Sequence, residues 1–440
     1  MCCFLQKCFS YTVVMTVNVL VRWEALDTDA SLFLTSQEIS AMKNIHVPSL
    51  RRYGVLVIAF AFLLTSCKQG SDAASPASTT TPDDPVTVNP SIPNNPGMIV
   101  YPPDNPSTAA KIELGKHLFF DKSLSVDNST SCASCHTPGD GFADSRGLST
   151  SQGFSRRMGT RNAPALANVA YRSVITWDGK FKTLEEHALA PMFNNIEMGN
   201  NFSSTGADPV TSGYYHSDVG QNDTNFLFKR LSGRGKDAVG KTYADLFIAA
   251  WGSSAVGPTG VSLDHLAKSI ASFERTFIST GSTFDRYNKG DRSAYKFNPK
   301  ALHGFQLFTD PQKANCIGCH SGYDFTDQQF HNNGIGAGVK DDSGRSDITH
   351  NVADAYKFRT PPLRNVALSA PYMHDGRLKT LQDVMAFYNN GGKANVINKD
   401  PKIRPLNLSG DDISDIIEFL KTLTDESFTT NSTFNNPWEK

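Results

Sequence analysis

The feature that most narrows what this chain can become is a pentapeptide that occurs twice, as Cys132-Ala133-Ser134-Cys135-His136 and as Cys316-Ile317-Gly318-Cys319-His320. Two thiols at this spacing can add across the two vinyl groups of a haem, and the adjacent histidine then reaches the iron from one face. One copy alone could equally be a redox dithiol or half of a zinc site. Two copies, with no further Cys-His pair to complete zinc ligation, point to two covalently attached haem c groups. Of the eight cysteines, the remaining four, Cys2, Cys3, Cys8 and Cys67, all lie ahead of the first motif.

The N-terminal region bears on where such a chain works. Arg51-Arg52-Tyr53 precedes an apolar run from Gly54 to Leu64, and Thr65-Ser66-Cys67 follows. A basic flank, a short apolar stretch and small residues describe an export signal, too short for an ordinary membrane span. Leu64-Thr65-Ser66-Cys67 matches a bacterial lipobox, in which the cysteine carries lipid. We therefore expect an upstream extension over 1–41, a lipoprotein signal over 42–66 starting at Met42, and a flexible tether over 67–97 rich in Ser, Thr, Pro and Asn. A short anchor retained in the chain is the alternative. Either way the body sits outside the cytoplasm, and the lipobox reading puts it on the periplasmic side of a bacterial membrane, held by lipid through Cys67. Lys+Arg total 42 against 43 Asp+Glu, which gives no electrostatic case for nucleic acid.

Length and the paired motifs predict a mainly α fold: two tandem cytochrome c-type haem domains with little β structure, over 98–283 and 284–440. The surroundings of the motifs rhyme, Leu118-Phe119-Phe120-Asp121 with Leu307-Phe308-Thr309-Asp310, and Asp140 to Asp144 with Gly322 to Asp327. Leu263, Leu266, Ile270, Phe273 and Phe277 fall on one helical face, as do Ile413, Ile416, Ile417, Leu420 and Leu423. Ser409 and Asp412 have capping-box spacing ahead of the second run. The polar stretch 282–291 is the expected domain boundary, and 199–241 a long surface insertion.

A haem that only carries electrons usually has two axial ligands, whereas one that reacts needs an open position. After His136 no histidine occurs before His187, and the only methionine between them is Met158. Glu197 is the candidate acid for moving a proton between the oxygens of a bound peroxide. For the second haem, Thr380 and Asp383 cap a helix that Gly391-Gly392 ends. Leu381, Val384, Met385 and Tyr388 share its face, offering either Tyr388 or Met385 to the iron of His320.

From Leu114 to Lys421 the chain resembles the bacterial dihaem cytochrome c peroxidase and MauG family. The resemblance is carried by LGKHLFFDKSLS, SCASCH, RNAPALANVAY, WDG, LEEHA, EMG, CIGCH and PPLRNVALSAPYMHDG. It implies that Glu197 is the distal-pocket acid and that Trp177 lies between the haems, able to relay electrons. It also implies a calcium ion held by the Asn162 side chain and the carbonyls of Ser369 and Pro371, and places His374 near the second haem. Three departures stand out. Gln152 occupies the loop where many relatives carry a displaceable histidine, so the first haem should be five-coordinate. Tyr388 replaces the axial methionine of the second haem, as in MauG. His187 replaces a distal glutamine, and could assist proton transfer or ligate the first iron.

The resemblance implies an enzyme that reduces hydrogen peroxide, with electrons from a small cytochrome c, a cupredoxin or a quinol-linked donor, and it leaves a homodimer open. A MauG-like oxidation of residues on a partner protein is the second reading, favoured by Tyr388. A dihaem electron carrier is the third, and it predicts six-coordinate iron at both sites.

Overall fold

The structure, a computed structural model, describes residues 92–93, 96–200, 225–256, 261–291, 299–335 and 342–439. Cys67, the export signal and most of the tether lie outside them. Among the described residues no helix is long and apolar enough to cross a membrane. The architecture is mainly helical, and among the described residues the one sheet is a two-stranded antiparallel pair, β1 (Phe330–His331) with β2 (Phe358–Arg359).

The first half is built on α1 (Ala109–Phe120). Thr108 caps it by accepting a hydrogen bond from the Lys111 amide. Then follow the short α2 (Leu184–Ala188), α3 (Asn225–Ser232), α4 (Tyr243–Trp251) and α5 (Leu263–Glu274). α1 crosses α5 at Gly115, where a Cβ would stand 1.9 Å from the Ser269 carbonyl oxygen, so only glycine permits this approach. Leu114, Leu118, Leu266 and Ile270 pack at the crossing. Beside them Phe119, Phe142, Phe273 and Phe277 form an aromatic cluster, with Phe142 stacked on Phe277 at 3.7 Å between ring centroids. Each fully buried ring of this kind contributes roughly 1.5–3 kcal/mol of transfer free energy.

The second half repeats the plan. After α6 (Thr283–Asn288), α7 (Pro299–Thr309) crosses the later α10 (Gly410–Lys421) at Gly304, again with a Cβ position 1.9 Å from a carbonyl oxygen, here that of Asp415. Between them come α8 (Ser346–Thr349) and α9 (Leu381–Asn389), and α11 (Glu426–Thr429) closes the series. Both predicted capping boxes are present, Ser409 with Asp412 and Thr380 with Asp383.

The stretch 282–291 opens with α6, capped by Ser282 and Asp285, and Phe284 and Tyr287 sit in the second core. Two expectations need correction. The region 199–241 is not wholly a surface insertion, because Leu231 is buried in the first core and Arg230 donates to the Ser123 and Ser125 carbonyls. The ends of the chain also cross the boundary. Ile92, within the expected tether, is buried in the second core, whereas Phe428 and Phe434 return to the first.

Candidate haem sites and the wall between them

Each Cys-x-x-Cys segment forms a single 3-10 turn, Cys132–Ser134 and Cys316–Gly318, and delivers the following histidine in the same way. His136 Nδ1 is 3.0 Å from the Phe142 carbonyl oxygen, and His320 Nδ1 is 2.9 Å from that of Phe325. A carbonyl can only accept, so Nδ1 carries the proton in both rings and the Nε2 lone pair is left for a metal. Phe142 and Phe325 have φ of +60° and +55°, unusual for bulky residues, and both are fully buried. Their side chains enter the two cores while the turned backbone aims the carbonyl back at the histidine. Burial pushes the His136 pKa down to about 4, which keeps the ring neutral and fit for ligation.

The four motif cysteines are free thiols, and within each motif the two lie within electrostatic reach of one another. Around the first pair, Arg146 bridges Asp144, Cys135 and the Gln152 carbonyl. Gln152 turns its own amide onto its loop, toward the Arg156 carbonyl and Met158. That loop packs hard against the 194–198 segment: a Cβ on Gly153 would stand 1.9 Å from the Ile196 carbonyl oxygen, and the Phe154 amide donates to the Glu197 carbonyl at 2.9 Å. Glu197 is thus presented by a braced loop. Its carboxylate accepts from Asn194 at 3.0 Å and lies within electrostatic reach of Cys132 and Cys135. The side chain is exposed, yet the protein crowded around it shifts its pKa upward, an effect that Lys180 opposes. His187 stands edge-on to Phe181 and feels the His136 imidazole; burial, then that neighbour, holds its pKa down at about 4.

The second motif opens into a cavity whose walls include Cys316, Cys319, His320, Leu381, Val384 and Tyr388. The Tyr388 hydroxyl accepts from Asn333 Nδ2 at 3.1 Å, and burial pushes its pKa to about 12. Met385, the competing ligand candidate, packs instead among Ile413 and Ile416 in the second core. Of the two, the structure brings only Tyr388 to the cavity.

The segment 162–177 forms one wall of this cavity. Trp177 lines it and donates from Nε1 to the Asn162 carbonyl at 2.8 Å. The Asn162 amide donates in turn to the His374 carbonyl at 2.6 Å, and its side-chain amide approaches the Pro371 carbonyl at 3.3 Å. His374 is buried and stacked on Phe358 at 3.7 Å. Ser369 and Pro371 line the same cavity, so the residues expected around a calcium ion are adjacent here. Arg161 ties the halves together by pairing with Asp178 at 2.6 Å and Asp342 at 2.7 Å. At another contact between the halves, Asn168 and Asn365, both in left-handed conformation, meet at Ser279.

Sequence reasoning missed two things here. Ile175 to Leu184 (ITWDGKFKTL) repeats Tyr372 to Leu381 (YMHDGRLKTL), which makes Trp177 and His374 equivalent positions; aligning the chain with itself past the haem motifs finds this. Arg359 also lines the second cavity, fully buried, and no motif marks it.

Comparison with known proteins decides the ancestry. A family model described as di-haem cytochrome c peroxidase matches residues 109–293. The methylamine utilization protein MauG of Methylorubrum extorquens is 34% identical over 384 residues, covering 86% of this chain and 96% of that protein. The chain belongs to the di-haem cytochrome c peroxidase and MauG family. Cytochrome c551 peroxidase of Pseudomonas aeruginosa is 33% identical over 327 residues, covering 72% of this chain and 80% of that one. Among solved structures, a MauG-like protein associated with microbial copper homeostasis superposes with a TM-score of 0.65 at 32% identity, covering 77% of this chain and 96% of its own. The expected mainly α, two-domain haem fold is thereby established, and with it an oxidoreductase of the cytochrome c peroxidase type. The two haem c groups of such a protein fit the donors present: paired free thiols, and imidazoles whose Nδ1 is engaged and whose Nε2 is available.

Proposed function

We propose that the chain reduces hydrogen peroxide to water at its first site, with two electrons supplied through its second. The carrying observation is Glu197, a carboxyl of raised pKa held on a braced loop beside the first haem-attachment motif. A haem bound there supplies the iron that receives peroxide and the electrons that cleave it. Glu197 takes the proton from the inner oxygen and returns it to the outer one. The balance is one peroxide, two protons and two electrons to two waters. His187, neutral because it is buried, is able to share that proton through its free nitrogen. Gln152, bonded within its own loop, does not compete for the iron.

The Trp177 indole in the wall is the relay between the sites, and the second site stores electrons from a small cytochrome c, a cupredoxin or a quinol-linked donor. Asn162 and the Ser369 and Pro371 carbonyls hold calcium, which stiffens this wall. The lipobox supports a lipid anchor at Cys67 and a periplasmic location. A MauG-like oxidation of a partner protein is the second reading. It is favoured by Tyr388 at the second cavity and by the MauG-like relatives.

Electron paramagnetic resonance of the oxidised, fully haem-loaded protein tests the proposal. A high-spin signal beside a low-spin one is expected, since on this reading His136 alone among the side chains of the first site would ligate its iron. Two low-spin signals would mean that His187 closes it, and the electron-carrier reading would replace this one.

A further inference from the structure

Arg359 is among the largest fully buried side chains, and its guanidinium has no carboxylate. Nε donates to the Thr176 carbonyl at 3.2 Å and Nη1 to the Thr360 carbonyl at 3.3 Å, while Nη2 meets no hydrogen-bond partner. Several other buried or half-buried arginines are matched with acids: Arg161 with Asp178 and Asp342, Arg275 with Glu185, and Arg364 with Asp285. Arg172 is like Arg359 in having an unpaired nitrogen, Nη1, and its charge repels that of Arg359. Arg172 and Arg359 are thus two neighbouring cations with unfilled donors, neither of them ion-paired with an acid. A buried charge without a partner is costly, and a second like charge nearby adds to the cost. An anion has to complete the arrangement.

The cavity that Arg359 lines also contains Cys316, Cys319 and His320, and so is where the second porphyrin attaches. That group brings two carboxylates, on the edge opposite its vinyl carbons. An arginine fork with a free N–H is the side chain best suited to receive one. His374 Nε2, the other unpaired donor lining the cavity, already has Asp342 at 4.0 Å.

We propose that Arg359 anchors a carboxylate of the second haem and, by its charge, holds that haem's reduction potential up. The inference rests on family membership and two-haem loading, not on the peroxide chemistry. A positive charge beside the iron disfavours the more positive, oxidised state. Removing it stabilises ferric over ferrous iron, and only at the second site.

The test is a spectroelectrochemical titration of the two-haem protein, resolving each haem, for the native chain and for Arg359→Leu, Arg359→Gln and Arg359→Lys. With haem content checked separately, Arg359→Leu should lower the second potential, so that the ferrous-to-ferric ratio at a fixed applied potential falls about tenfold or more. The first haem should not move. Arg359→Lys keeps the charge and should recover most of the shift, which a merely structural role through the Thr176 carbonyl would not produce. A haem-loaded Arg359→Leu protein with an unchanged second potential overturns the proposal. Should that variant fail to load haem, an unchanged potential in Arg359→Gln overturns it equally. Peroxide turnover is not the readout, so the proposal survives or fails independently of the function proposed above.

Discussion

Two helices in equivalent positions, α2 and α9, begin alike and end differently. Thr183 and Thr380 cap them in the same way, each after a repeated Asp-Gly turn. α2 ends after five residues, whereas α9 runs for nine. Pro191 explains part of the difference, because it has no amide to continue the helical ladder. The consequences fall on the haem sites. In α9 the extra turn places Tyr388 in the cavity of His320. In the first half the helix has stopped by the matching position, which is Pro191 itself, and the chain turns out into the loop that carries Glu197. His187 stands where α9 has Val384. A duplicated frame has thus been differentiated by helix length, one copy placing a tyrosine in its cavity and the other a carboxylate on a braced loop.

The sharpest way to break this comparison is Glu197→Gln. Loss of a positioned proton carrier should slow the peroxide reaction about 10²- to 10⁴-fold by stopped-flow absorbance, with the second haem's spectrum unchanged. Equal rates in the two proteins would leave Glu197 as an ordinary loop carboxylate.

Next in size is a test of the shared frame. Gly115→Ala and Gly304→Ala each drive a methyl into a carbonyl oxygen at a helix crossing. Each should destabilise its half by about 1–3 kcal/mol or more, seen as a lower thermal midpoint and weaker retention of the haem in that half. If either is tolerated without loss, the crossing is looser than its geometry indicates. A finer cut lies within α9. Tyr388→Phe should alter only the low-spin signal of the second haem, while Met385→Leu, a near-isosteric change in the core, should cost under about 1.5 kcal/mol and leave both signals alone. A spectral change in Met385→Leu would reopen the choice of ligand.

How much of this was legible in the sequence follows from the kind of signal each feature leaves. The attachment motifs, the capping boxes and the 3.6-residue stripes of α5 and α10 are local, and they were readable. The helix α6 was not, because Ser282, Asp285 and Gly290 make a six-residue helix look like a linker, although Phe284 and Tyr287 fill the core. The return of Phe434 to the first half and of Ile92 to the second is purely tertiary. Arg359 is the extreme case: an arginine in sequence promises a surface charge, and only its burial without an acid marks it out.

The smallest predicted effect comes from one substitution between the copies on the helix that each half packs against its first. Ser269, whose carbonyl faces Gly115, corresponds to Asp415, whose carbonyl faces Gly304; five residues on, Glu274 corresponds to Leu420. Both are buried. Glu274 Oε2 has no hydrogen-bond partner, and burial raises its pKa to about 8 from an ordinary value of 4.5. The folded chain therefore binds more protons than the unfolded one between those values. Its contribution to stability is full below pH 4.5 and lost as pH rises through 8. Between pH 7 and 9 the remaining loss is on the order of 1 kcal/mol. Glu274→Gln should remove that slope from denaturation curves of the holoprotein, and Leu420→Gln should not introduce one. Should the native slope persist in Glu274→Gln, the alkaline sensitivity belongs to another group, and the first half's buried acid is ionised throughout that range.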